Sequence, residues 1–128
     1  MDDPSDNIVV ARGNWGRVEY AERSDGSVPA RVFVRSLTDS DGAKLHALFK
    51  MMADQGRISN RTKFRQVEDD LFEFKAHQLR VSCWRAGNCW YLLDGFVKKQ
   101  DKWKPGELAH AMNLLAEHKG VLATRVQK

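Results

Sequence analysis

Residues 67–105, VEDDLFEFKAHQLRVSCWRAGNCWYLLDGFVKKQDKWKP, constrain the fold more than any other stretch. Leu71 to Ala76, Leu79 to Arg85 and Cys89 to Val97 are rich in aromatic and β-branched residues, as strands require. Gly87-Asn88 between the second and third is a two-residue loop of the kind that closes a tight hairpin. Centring the turn there sets Arg80 opposite Gly95, Ser82 opposite Leu93 and Trp84 opposite Tyr91. A matching turn at His77-Gln78 sets Lys75 opposite Arg80 and Glu73 opposite Ser82, although neither turn residue favours positive φ.

Strand alternation then separates two faces. One carries Phe72, Phe74, Ala76, Leu79, Val81, Cys83, Leu92 and Phe96, with Asp94 its only charge, and reads as core. The other carries Glu73, Lys75, Arg80, Ser82 and Gly95, with Leu71, Trp84, Tyr91 and Leu93 toward one end. Lys75, Arg80 and Gly95 share a row, and like charges directly opposite each other call for an anion. Glu73 is one candidate and a phosphate is another, with Gly95 leaving room for its approach. The strand then runs into KKQDKWK, where Lys98, Lys99, Lys102 and Lys104 surround Trp103 against a single Asp101.

These pieces occur in a recognisable order. Leu71-Phe72-Glu73-Phe74-Lys75, Leu79-Arg80-Val81, Leu92-Leu93-Asp94-Gly95-Phe96-Val97-Lys98-Lys99 and Lys104-Pro105-Gly106-Glu107-Leu108 resemble the RelE/HigB-type toxins, in their phage-derived branch. The resemblance implies an α+β, RelE-like fold. Its N-terminal strand and two helices pack on an antiparallel sheet of three consecutive C-terminal strands, and a C-terminal helix follows. It also implies a toxin of a type II toxin–antitoxin module, a ribosome-dependent mRNA endonuclease that needs no cofactor or metal and is neutralised by a small antitoxin of helix-turn-helix type.

A chain of 128 residues suits one domain with one core. Apolar residues at 42% and charged residues at 30% are ordinary for a soluble globular protein. The net charge of +4 leans toward a polyanionic partner. Two cysteines are too few for a disulfide framework, and the register points Cys83 and Cys89 to opposite faces, so two free thiols and a reducing compartment are expected. No apolar run is long enough to span a bilayer and the start is acidic rather than signal-like, which gives a cytoplasmic expectation with no membrane partner.

Residues 1–16 read as a partly disordered extension, 17–120 as the domain and 121–128 as a tail. Arg17 to Glu22 alternates as a strand that adds to an edge of the sheet. Pro29 suits the first turn of a helix whose apolar stripe is Val28, Val32, Phe33 and Leu37. Asp39, Ser40 and Asp41 offer a cap for a second helix, in which Leu45, Leu48, Phe49 and Met52 recur at helical spacing before a stop at Gly56. Both helices are expected over the apolar sheet face. Arg57 to Arg65 reads as a basic connector, its Arg61, Lys63 and Arg65 either solvated or tracking phosphates. The last helix starts at Pro105, buries Leu108, Ala111, Met112 and Leu115, and stops at Gly120.

No Gly-rich phosphate loop, Cys/His metal spacing or Ser/His/Asp pattern is present. A cationic patch with aromatics suits RNA, cations for phosphates and ring faces for bases. Lys75, Arg80, Lys98 and Lys99 are the catalytic candidates, and Arg61, Lys63, Arg65, Lys102, Trp103 and Lys104 the RNA-binding ones. Clustered cations lower a lysine's pKa, so Lys98 or Lys99 is the proton carrier, Arg80 stabilises transition-state charge and Lys75 supports it. Alternation places Lys99 on the Lys75/Arg80 face and Lys98 on the other. Measured against the resembled family, Lys75 stands where Arg is common, Gln-Asp-Lys-Trp-Lys-Pro replaces the usual end of the lysine segment, and Arg125 is a weak match to the C-terminal arginine of some members. His77 is either a family-style acid or an exposed turn residue. A RelE-fold protein that binds RNA or antitoxin without cleaving, and a ParE-like gyrase inhibitor, are the alternative functions.

Overall fold

The computed structural model describes residues 8–98 and 103–126, the side chain of Val126 excepted. Strands β1 (Val9–Arg12) and β2 (Arg17–Tyr20) lead into helices α1 (Pro29–Arg35) and α2 (Asp39–Gln55). Four strands follow, β3 (Phe64–Glu68), β4 (Leu71–Ala76), β5 (Leu79–Ala86) and β6 (Cys89–Val97), and then helix α3 (Pro105–Val126). The α+β class is as expected, but the sheet has six strands rather than three. Its order is β1-β2-β6-β5-β4-β3, and it is mixed because β2 runs parallel to β6.

Two of the additional strands come from stretches whose patterns are weak. Ile8-Val9-Val10 is too short to show alternation, yet residues 9–12 pair with β2 and cover what would otherwise be its free edge. Within the basic connector, Phe64–Glu68 pairs with β4, so Arg65 lies in a strand directly opposite Glu73. The three central strands fall where their composition places them. Gly87 takes φ 62 in the β5–β6 turn, and His77 pays the steric cost of φ 55 in the β4–β5 turn.

Helices α1 and α2 cover one sheet face and α3 the other, each over its own apolar cluster. Thr38, rather than the acids after it, caps α2, its hydroxyl accepting from the Asp41 N–H at 3.2 Å. Gly56 ends α2 in the left-handed conformation, φ 77. Leu45, Leu48, Phe49 and Met52 are buried as expected, with Phe49 edge-on to Phe74 at 5.0 Å. On α1 the buried residues are Ala30 and Val34, whereas Val32, expected inside, is 70% exposed. Helix α3 continues through Gly120 to Val126, where a stop was expected. Nothing but the weak helix propensity of glycine argued for that stop, and one such residue does not end a helix docked along a sheet.

The decisive departure is a β-bulge. Trp84 pairs with Tyr91 and Cys83 with Leu92, but Ser82 pairs with Asp94, leaving Leu93 as an extra residue. Every later residue of β6 is therefore displaced by one. Arg80 faces Phe96, not Gly95, and Val81 faces Gly95. Phe96 and Asp94 leave the expected core face for the α3 face, where Phe96 meets Trp103 and Asp94 meets His110 at 3.1 Å. Gly95 moves the other way. Its bare Cα lies under Phe33 of α1, where a Cβ would collide with the ring, so it opens no path for a phosphate.

Cys83 and Cys89 are buried free thiols, both with pKa values raised by burial first, Cys89 to about 12. Among the described residues no helix is long and apolar enough to cross a membrane.

Candidate functional site

Glu73 is the centre of the α3-side cluster. Alternation in β4 turns it away from Phe72 and Phe74, and it is fully buried. A carboxylate without water must be surrounded by donors or cations. Arg65 Nε, from the neighbouring β3, donates to its Oε1 at 3.3 Å. Arg80 Nε, from β5 on the other side, lies 3.2 Å from the same oxygen as an ion pair, without the geometry of a hydrogen bond. The indole N–H of Trp103 donates to Oε2. One carboxylate thus holds together two strands and the segment that precedes α3.

Arg80 is fixed more completely than a surface cation. Its Nη1 donates to the carbonyls of His77 at 2.6 Å and Leu79 at 2.8 Å, and its side chain is only 12% exposed. The His77 carbonyl is presented by the positive-φ turn, so the turn and the arginine hold each other. His77 itself is an exposed turn residue. Lys75 lies directly opposite Arg80, and its ammonium donates to the Arg61 carbonyl at 3.3 Å. Its pKa is lowered, first by burial and then by the Arg65 and Arg80 charges, with Glu73 opposing.

Lys98 is where the bulge matters most. Unbroken alternation put it on the face away from Arg80; the displaced register returns it to the Arg80 side. Its backbone N–H donates to Gln78 O at 2.6 Å, which continues the β5–β6 pairing by one residue. The residue is 4% exposed, and no hydrogen bond or ion pair to its ammonium is present among the described residues. Burial lowers its pKa first; Glu73 opposes this, and Arg65, Arg80 and Lys75 add to it. Lys98 thus stands buried on the Arg80 face, its charge offset chiefly by Glu73.

Of the catalytic candidates, the structure brings Lys75, Arg80 and Lys98 together; Lys99 lies outside the described residues. Among the RNA-binding candidates, Arg65 and Trp103 belong to the cluster itself, with Trp103 edge-on to Phe96 at 4.9 Å. Arg61 and Lys63 are exposed on the loop before β3, where the Lys63 carbonyl accepts the Lys75 N–H at 2.8 Å. Lys104 is exposed at the start of α3, its N–H 3.3 Å from Glu107 Oε2, and Lys102 lies outside the described residues. The sequence offered Glu73 only as one possible counter-charge and Arg65 only as a surface cation. A lone glutamate between two phenylalanines, on a face otherwise basic, was the available signal for the first. Nothing in the pattern signalled that Arg65 would be paired into the sheet.

Chemically, the cluster offers one immobilised guanidinium, a second shared one, and two amines whose pKa values lie below the ordinary lysine value. The buried carboxylate fixes the geometry and limits the excess positive charge.

No curated protein matches the chain. Residues 32–116 match the family described as "Phage derived protein Gp49-like (DUF891)", a toxin-like family of toxin–antitoxin systems. The match begins in α1, ends within α3 and takes in every residue of the Glu73 cluster. It covers well over half of the chain, which therefore belongs to the Gp49-like family of phage-derived proteins.

Proposed function

We propose that this protein is the toxin of a type II toxin–antitoxin module and cleaves mRNA on the ribosome without a metal or other cofactor. The carrying observation is the convergence of Lys75, Arg80 and Lys98 around the buried Glu73, with both lysines depressed in pKa. Family membership supports the toxin half of the reading. In the proposed reaction, neutral Lys98 accepts the proton of the ribose 2′-OH. The 2′-oxygen attacks the adjacent phosphorus, the P–O5′ bond breaks to leave a 2′,3′-cyclic phosphate, and the departing 5′-oxygen takes a proton from water. Arg80 meets the extra negative charge on the phosphoryl oxygens and Lys75 supports it. Lys99, the alternative proton carrier, follows in the chain, Lys102 and Lys104 are phosphate contacts, and Trp103 offers a ring face to a base. The partners are mRNA and a small antitoxin of helix-turn-helix type, and the setting is the cytoplasm.

A second reading, a RelE-fold protein that binds RNA or antitoxin without cleaving, draws on one observation. Arg80 commits Nη1 to two backbone carbonyls and Nε to Glu73, which is also what a purely structural arginine does.

Induction in a bacterium, followed by growth and primer extension, separates the readings. Growth arrest with discrete new mRNA 5′ ends, lost in Lys98→Ala and in Arg80→Ala proteins that remain folded, is expected. Arrest with intact mRNA would redirect the proposal to gyrase or another target. A folded protein that causes no arrest would leave the binding reading in its place.

A further inference from the structure

On the far side of Lys75 from Arg80, a groove of about 390 Å³ lies between α2 and the ends of β3 and β4. Ala47, Leu48 and Met51 of α2 form an apolar wall; Lys44, Lys63 and Lys75 stand along it. Thr62, Ala76 and His77 complete the lining, which contains no carboxylate. Lys44 has Asp41 at 3.9 Å one helical turn back, both side chains well exposed, and such a pair contributes little. Lys63 is exposed with no ion pair or hydrogen bond to its ammonium among the described residues. The volume is in the range of small-ligand sites.

We infer that this groove holds the nucleotide next to the cleaved bond, its base against Ala47 and Met51 and its phosphate between Lys63 and Lys75. The inference rests on the proposed nuclease function and extends it to a subsite outside the Glu73 cluster. Three lysines without a lining acid make an anion the complementary occupant, and an apolar wall beside them suits a flat ring rather than a free ion. The adjacency is built in. Lys75 belongs to both places, and His77, which also lines the groove, is the residue whose carbonyl holds Arg80 Nη1. A chain whose scissile phosphate meets Arg80 reaches the groove by way of Lys75.

Ala47 is exposed on α2, so Ala47→Trp fills the groove without removing any packing, and Lys44→Glu reverses charge at its rim. The probes are single-stranded RNA hexamers 2′-O-methylated throughout, followed by fluorescence anisotropy, together with primer-extension maps of cleavage in cells. Ala47→Trp is expected to bind the hexamers about tenfold more weakly, as for loss of one stacked base. Lys44→Glu, which puts an acid near the phosphate held by Lys63 and Lys75, is expected to weaken binding too and to flatten its salt dependence. The map should change in the base preferred beside the cut. An Ala47→Trp protein that binds within twofold of wild type and cuts the same sequences overturns the subsite, including when the substitution instead blocks a protein partner. Wild type that neither binds nor cuts RNA overturns the nuclease reading itself, a result visible before any variant is made.

Discussion

Trp103 donates its indole N–H to Glu73, thirty residues earlier in the chain, and so ties the segment before α3 to the middle of the sheet. Trp103→Phe keeps the ring against Phe96 but leaves Oε2 of a fully buried carboxylate without its donor. The expected loss is about 1–3 kcal/mol, the cost of an unmatched buried acceptor. Glu73→Gln is expected to cost more, about 3–5 kcal/mol, because Arg65 and Arg80 then face each other without a counter-charge. Urea unfolding of the two variants checks the order. Equal losses would mean that Glu73 acts through the indole alone and does not balance the arginines.

The contrast between β5 and β6 shows how far the sequence could be read. The β4–β5 register follows from alternation and a two-residue turn, and Glu73 faces Ser82 and Lys75 faces Arg80 as those rules require. In β6 the same rules hold from Cys89 to Leu92 and then fail at Leu93. A bulge leaves the composition of a strand unchanged and only its phase altered. The trace it leaves is Leu92-Leu93, two adjacent apolar residues in an alternating strand, each buried on its own side of the sheet. Without that phase change Lys98 points away from the cluster, Gly95 points into it, and the site is assembled incorrectly. β1 and β3 were illegible for a different reason. Each is a short outer strand whose pairing is decided by a neighbour, not by its own pattern.

The displaced phase makes a steric prediction at Gly95. Its Cα packs beneath the Phe33 ring, so Gly95→Ala forces α1 outward or Phe33 off its rotamer. Overpacking of this kind costs about 1–3 kcal/mol. Phe33→Ala in the same chain should recover part of that loss, because it removes the ring the methyl strikes. A double-mutant cycle measured by thermal unfolding checks this, and additive losses would place Gly95 away from Phe33.

The depressed lysines predict a pH profile if the proposed chemistry holds. A proton carrier with a lowered pKa gives a rate that rises with pH and levels off below the ordinary lysine value of 10.5. Arg65 lowers both Lys75 and Lys98, whereas Glu73 raises them. Arg65→Gln should therefore move the rising limb to higher pH. Glu73→Gln should move it to lower pH in whatever fraction remains folded. The profile of single-turnover cleavage checks the two directions, and a limb that does not move with Arg65→Gln would remove Lys75 and Lys98 as carriers.

His118 predicts a separate pH dependence, of stability and not of rate. It is 3% exposed on α3, and the Trp84 indole, which can only donate, places its N–H 2.9 Å from Nδ1. The ring is therefore neutral, with its proton on Nε2, and Tyr91 packs against it at 4.7 Å. Burial, then the charge of Arg125, lowers its pKa from 6.5 to about 4, with Glu117 opposing. The unfolded chain binds this proton more readily than the folded one, so stability is complete above pH 6.5 and falls as pH drops toward 4. Over that span the loss is on the order of 3 kcal/mol, and it levels off below pH 4. His118→Gln, with its amide oxygen turned to the indole, keeps an acceptor that does not titrate. Urea midpoints followed by tryptophan fluorescence between pH 7 and pH 4 should be flatter in the variant than in wild type. Parallel curves would show that His118 is not the group that titrates.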